Sequence, residues 1–348
     1  MTTVHTVTGP IDSAELGVCL PHEHIINDVR SWHTPSTQLL DAESYANAPV
    51  SMDILWELRQ DPFGNIDNCF MDDVDLAIRE VDYFRRLGGQ TILDATSVSI
   101  GRNLPVLRDI SKITGVTIVA GTGFYLDSSQ PDEIKALGTD DIAEIILRDL
   151  TDGVDGVRPG FIGEIGVSAD FTPAERKSLE AACIAQVATG LPMQVHLPGW
   201  FRLGHDVLDI VESCGVNPHH VVLCHMGPSG SDLDYQTSLA RRGAWIQYDM
   251  IGMEVFYADQ GVQCPSDEDN ALNLLALCDA GHADRLLMSQ DIFMKSLLRA
   301  YGGPGFGHIL QFFIPRLKRL GADDALIDAL TIHNPRHLFD IAKENHHD

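Results

Sequence analysis

The chain has 348 residues, 44% of them hydrophobic, enough to bury a large core as one big domain or two modest ones. Its 50 acidic and 24 basic residues give a net charge of −26, a balance that repels phosphate backbones and anionic lipid surfaces, so neither nucleic-acid nor membrane-surface roles are expected. No apolar stretch approaches the roughly 18 residues needed to span a bilayer, no basic-then-apolar leader opens the chain, and the expectation is a soluble, cytoplasmic protein. Seven cysteines without a C-x-x-C pair imply neither a disulfide framework nor a thiolate metal site.

A polar lead over residues 1–16 carries a Gly9-Pro10 turn signal and runs into a short apolar strand over 17–20. That strand ends at His22-Glu23-His24. Alternate residues on a strand share a face, so the two imidazoles can grip one cation together. Residues 27–68 form a polar stretch too long for an ordinary connection, read as an insertion that covers the site. Val74, Ile78, Val81 and Phe84 then fall at helical spacing over 73–87, closed by Gly88-Gly89.

From there one pattern repeats. Short apolar runs at 90–95, 116–120, 161–166, 191–195, 220–224, 244–248 and 285–289 alternate with helical segments. These helices are expected near 103–114, 140–150, after Thr172, and near 205–214, 232–242 and 267–280; three more, near 307–320, 323–330 and 335–343, follow the last run. The best marked opens at Thr172-Pro173-Ala174-Glu175, where Thr caps, Pro takes the first helical position and Glu completes a capping box. Eight runs with crossover helices predict a parallel sheet closed into a (β/α)₈ TIM barrel. An open doubly wound sheet would carry a glycine-rich phosphate turn after its first strand, where this chain has His22-Glu23-His24. No linker divides the sequence, so a single domain over 1–348 is expected, with the 27–68 insertion near the site.

Barrel enzymes build their sites at the C-terminal ends of different strands. In this chain those ends carry His22 and His24, Glu164, His196, His225 and Asp291. Each is a residue type that holds zinc, manganese, iron or cobalt, with zinc the first expectation. Four imidazoles and two carboxylates exceed what one tetrahedral ion requires, so two divalent ions are expected. His22, His24 and Asp291 are assigned to one ion and His196 and His225 to the other, with Glu164 bridging. Paired ions about 3.5–4 Å apart can share a water and lower its pKa enough to make hydroxide near neutral pH, while Asp291 accepts its proton.

The ordered set of motifs resembles the phosphotriesterase-like family of the amidohydrolase superfamily. The resemblance spans nearly the whole chain, from the early Thr-Val-Thr-Gly-Pro through His22-x-His24, Gly121-Thr122-Gly123-x-Tyr125, His196, His225 and Ser289-x-Asp291. It continues to Gly302-Gly303-x-Gly305-Phe306, Phe313-Ile314-Pro315 and Asn334-Pro335. It implies a binuclear metal centre on a (β/α)₈ barrel and a homodimer. Many members bridge their metals with a carbamylated lysine on strand four, whereas residues 161–166 (FIGEIG) offer only Glu164, as in the glutamate-bridged subgroup related to phosphotriesterase homology proteins and lactonases. That departure points away from paraoxonase-type activity. The resemblance also places Tyr125 beside the metals, where it can orient a substrate carbonyl, and Asp249 is a candidate to orient a histidine ligand.

The expected reaction is hydrolysis of a small lactone or carboxylic ester, with phosphotriester or phosphoester hydrolysis at the same centre as the alternative. A non-enzymatic ligand-binding barrel and a mononuclear deaminase-like barrel are the remaining readings. The pocket is expected from loops after strands one, seven and eight, with Trp200, Phe201, Met253, Phe256, Tyr257, Phe293, Met294, Tyr301 and Phe306 as wall candidates. Arg202, Lys295 and Arg299 are the cations that could hold an anionic group.

Overall fold

A computed structural model describes residues 2–344; Met1, the start of the polar lead, and the last four residues lie outside it. Eight parallel strands form one sheet: β1 (Cys19–Glu23), β2 (Thr91–Asp94), β3 (Thr117–Thr122), β4 (Phe161–Ile165), β5 (Met193–Val195), β6 (Val221–Leu223), β7 (Trp245–Tyr248) and β8 (Leu286–Met288). Neighbours in space are neighbours in sequence throughout. Just past β8, the Asp291 backbone N–H reaches the His22 carbonyl of β1 at 3.4 Å and Ser289 Oγ accepts the His22 N–H at 3.1 Å, so β1 and β8 meet. The sheet is a (β/α)₈ TIM barrel.

Alternation decides what faces the lumen. On β1, Cys19 packs with Leu93, Val119 and Phe161 of the next three strands and with Val4, Leu16 and Phe339, whereas Leu20 joins the larger apolar cluster that includes helix residues. The register against β2 shifts between Leu20 and Glu23. The strand runs three residues further toward the site than the sequence pattern predicts, so His22 lies within it. Between the strands run α1 (Val74–Arg86), α2 (Leu104–Thr114), α3 (Thr139–Thr151), α4 (Pro173–Thr189), α5 (Gly204–Ser213), α6 (Leu233–Arg241) and α7 (Asp267–Leu277). The expected capping box of α4 is formed by Thr172 and Glu175, and the helix ends at Gly190 in a left-handed conformation that glycine adopts freely. Among the described residues no helix is long and apolar enough to cross a membrane.

The 27–68 stretch is more structured than its polar composition implies. It carries two short helices, Ala42–Asn47 and Leu55–Gln60, around a small core of Tyr45, Val50 and Leu58. Tyr45 donates its hydroxyl to the Asp61 carbonyl at 2.6 Å, and Asn65 Nδ2 donates to the carbonyls of Tyr45 (2.6 Å) and Ala48 (2.9 Å). Buried asparagines thus do the work of missing secondary structure. Asn68 Oδ1 accepts the Ser296 N–H at 2.8 Å, which ties this cap to the loop after β8.

Candidate metal centre

Side chains from five strand ends converge at the C-terminal mouth of the barrel, and all six predicted ligands are buried. Glu164, from β4, stands in the middle. Its Oε1 lies 2.8 Å from Nε2 of His225, 3.2 Å from Nδ1 of His196 and 3.7 Å from Nε2 of His22, and its Oε2 lies 4.0 Å from Nε2 of His24. Asp291 Oδ1 lies 3.2 Å from His24 Nε2 and 3.7 Å from His22 Nε2. Four triads of metal-ligand atoms lie within a 4.8 Å span, among them His22–His225–Asp291 and His22–Cys224–Asp249; the other two, His22–His24–Glu164 and Glu164–His196–His225, share one carboxylate.

The outer nitrogen of each ring explains the inner one. His22 Nδ1 lies 2.9 Å from Gln194 Oε1, His24 Nδ1 lies 3.0 Å from Thr96 Oγ1, and His225 Nδ1 lies 2.9 Å from Asp249 Oδ1. Each contact fixes the ring so that Nε2 points to the centre. His196 is turned the other way. Its Nδ1 faces Glu164 and sits 2.9 Å from the Tyr125 hydroxyl.

The donor set fits divalent cations. His22 Nε2 and Glu164 Oε2 are buried without a hydrogen-bond partner, a condition that costs about 1–3 kcal/mol per group unless something else satisfies it. Glu164 is held well below the usual carboxylate range, because the rings of His22, His225 and His196 outweigh the upward push of burial. His225 is raised well above an ordinary histidine, since Asp249 and Glu164 overcome the downward effect of burial. Among the described residues, the ion pairs of Glu164, Asp249 and Asp291 are all with histidine, so this concentration of negative charge has no lysine or arginine to balance it. That is the environment a divalent cation neutralises.

Two of these residues sit in left-handed backbone that side chains rarely adopt: His225 (φ 58°) and Asp291 (φ 51°). Such conformations cost about 1–3 kcal/mol each and persist where neighbours hold them. Asp249 accepts the His225 backbone N–H at 2.9 and 3.1 Å. Glu23, pointing out of the lumen between the two histidines, accepts from Ser289 Oγ at 2.7 Å and from the N–H groups of Gln290 and Ile292 at 2.9 Å each, clamping the backbone on both sides of Asp291.

Above the centre lies a cavity of about 550 Å³ that His24, His196, His225 and Asp291 floor. Trp200, Phe201, Tyr257 and Phe293 line it as expected. Met253, Met294 and Phe306 are instead buried in the apolar core, and Phe256 and Tyr301 lie outside the wall. Loops after β3, β4 and β5 contribute as well as those after β1, β7 and β8. The wall residue that the sequence hides is Trp32, delivered by the insertion, which stacks on Tyr125 at 5.6 Å with ring planes 12° apart. Arg202, Lys295 and Arg299 are all absent from the wall. Arg202 pairs with Asp232 at 3.0 Å, Lys295 with Asp67, and Arg299 lies over the Tyr83 ring.

A family model described as the phosphotriesterase family matches residues 2–339. The chain belongs to the phosphotriesterase family. A phosphotriesterase-related protein of Nematostella vectensis is 34% identical over 95% of this chain and 96% of its own length. The N-acetyltaurine hydrolase of Danio rerio is 32% identical over 96% of each. Among solved structures, a resiniferatoxin-binding protein from Rhodobacter sphaeroides superposes with a TM-score of 0.95 at 52% identity, covering 97% of this chain and 94% of that one. This phosphotriesterase-family member is a hydrolytic enzyme of a metal-dependent family, with clustered histidine and carboxylate groups able to bind metal.

Two residues that organise the centre escaped the sequence reading. Gln194 lies inside the β5 run and Gln247 inside β7; both are buried at the floor of the site, where Gln194 meets His22 and Gln247 Nε2 donates to Asp249 at 2.9 Å. The signal was present: a lone amide inside an otherwise apolar barrel strand needs a partner in the lumen.

Proposed function

We propose that this enzyme hydrolyses a carboxylic acyl bond, with a small lactone or ester as the first class and an amide as its close relative. Two divalent cations would be held by His22, His24 and Asp291 on one side and by His196 and His225 on the other, with Glu164 common to both. The observation that carries this reading is the pair of ligand triads sharing Glu164. Zinc leads; manganese, iron and cobalt suit the same ligands. When bound, such cations polarise a carbonyl oxygen and lower the pKa of water enough to supply hydroxide near neutral pH.

The protein's own groups do the remainder. Asp291 lines the cavity floor, where its carboxylate accepts the proton of the attacking water and returns it to the leaving group. The Tyr125 phenol, pushed well above its ordinary pKa by burial and by the Glu164 and Asp291 charges, stays protonated at neutral pH. With the His196 nitrogen committed to a cation, that O–H is available to a substrate oxygen. Trp32, stacked over Tyr125, keeps bulk water from the phenol.

An acyl substrate is favoured over an anionic phosphoester because the cavity lacks the fixed cations that phosphate recognition uses, and over an uncharged phosphotriester because a 32%-identical relative is named for cleaving an N-acyl bond. A cytoplasmic homodimer acting on a small molecule, without nucleic-acid or membrane partners, matches the acidic balance and the family pattern. A panel of lactones, aryl esters, N-acyl amides and organophosphates, tested on metal-loaded protein, should give turnover concentrated in the acyl compounds. Turnover of phosphotriesters alone would replace this reading with the alternative.

A further inference from the structure

We infer that the pocket selects against anionic substrates and takes an acyl compound whose tail is uncharged or positively charged; the inference rests on the acyl-hydrolase reading above. Among the described residues, no lysine or arginine lines the cavity. The cations nearest in sequence to its lining are already committed. Arg30, beside Trp32, lies 2.6 Å from Asp28 and stacks over Phe70. Arg102, two residues past Ile100, lies 2.6 Å from Asp149; Lys295, two past Phe293, pairs with Asp67; and Arg202 is held by Asp232 and the Tyr235 ring.

The charged groups that do line the cavity beyond the metal-centre residues are Asp170, on the turn after β4, and Asp259. Asp259 sits at the tip of a hairpin whose strands, Phe256–Tyr257 and Val262–Gln263, pair antiparallel, so it overhangs the mouth from the β7 side. Between these carboxylates the wall is aromatic, with Trp32, Trp200, Phe201, Tyr257 and Phe293. With the acyl group at the metal-centre floor, a tail lying along these aromatic faces near the two carboxylates is attracted if it is a quaternary ammonium and tolerated if alkyl, whereas a sulfonate or carboxylate tail meets no cation in the wall and a like-charge penalty. The chain's net charge of −26 acts in the same direction on approach. The same absence of cations sets this pocket against a sulfonate-tailed N-acyl substrate.

Three butyrate esters matched in length and head-group shape test this: butyrylcholine (cationic), 3,3-dimethylbutyl butyrate (neutral) and 2-sulfoethyl butyrate (anionic). With metal-loaded enzyme at low ionic strength, kcat/KM for the cationic and neutral esters should exceed that for the sulfonate at least tenfold. Asp259→Arg, with Asp170→Arg as the second variant, should shrink that gap severalfold by raising the sulfonate rate. A sulfonate ester cleaved as well as its neutral isostere would overturn the inference. If none of the three is cleaved, the acyl-hydrolase reading fails instead, and quenching of Trp32 and Trp200 fluorescence by the uncleaved esters still ranks the tails. Equal or tighter binding of the sulfonate would then overturn the inference independently.

Discussion

Nδ1 of His225 lies 2.9 Å from Oδ1 of Asp249, and the same carboxylate accepts the His225 backbone N–H. One side chain thereby sets both the tautomer of a proposed ligand and the left-handed backbone that presents it. Asp249→Asn keeps the shape but lets an amide N–H face the ring nitrogen. Metal affinity should fall about 10- to 100-fold, the usual cost of losing such an orienting partner. Competition with a calibrated chelator measures it, and an unchanged affinity would leave Asp249 a purely structural residue.

Glu23 supplies a pH signature. Burial pushes its carboxyl up to about 8, against the pull of the Ile292, Ser289 and Gln290 donors. A group whose folded pKa is raised holds its proton more tightly when folded, so stability declines as pH rises from the unfolded value of about 4.3 through the folded one. In metal-free protein, the unfolding free energy should therefore drop between about pH 4.5 and 8, and the same titration on Glu23→Gln should be flatter over that window. Parallel curves for the two proteins would show that Glu23 does not titrate there.

Trp32 should act on substrate binding more than on chemistry. It stacks on Tyr125 and meets Phe63 at 5.1 Å and Phe293 at 6.3 Å. Trp32→Ala removes an aromatic wall and should raise KM about tenfold, with kcat changed less. A matched fall in kcat and kcat/KM would instead place Trp32 in the transition-state machinery.

Asp291 is the complementary case. Asp291→Asn preserves size and most packing but removes the proton acceptor, so kcat should drop by roughly 10² to 10⁴ while KM stays within a few-fold. Steady-state kinetics at saturating metal separate the two. An effect confined to KM would remove Asp291 from proton transfer.

What the sequence exposes and what it hides divide along periodicity. The barrel and the six converging side chains are legible because each ends an apolar run, and His22 and His24 share a face by simple alternation. Trp32 and the Tyr45–Asn65 network are not, because residues 27–68 hold their shape through side-chain-to-backbone bonds that leave no repeating pattern. Arg202, Lys295 and Arg299 mislead for a different reason. Long flexible cations in a chain with 50 acidic residues find partners close by, and their neighbours in sequence do not say which.

The shared position of Glu164 between two ligand triads is tested most directly by metal stoichiometry. Protein reconstituted with zinc, freed of loose metal and analysed by elemental mass spectrometry should hold two ions per chain, and Glu164→Gln should hold one or none and lose hydrolysis. One ion in the parent protein, or two retained in the variant at near-normal rate, would contradict the bridged centre.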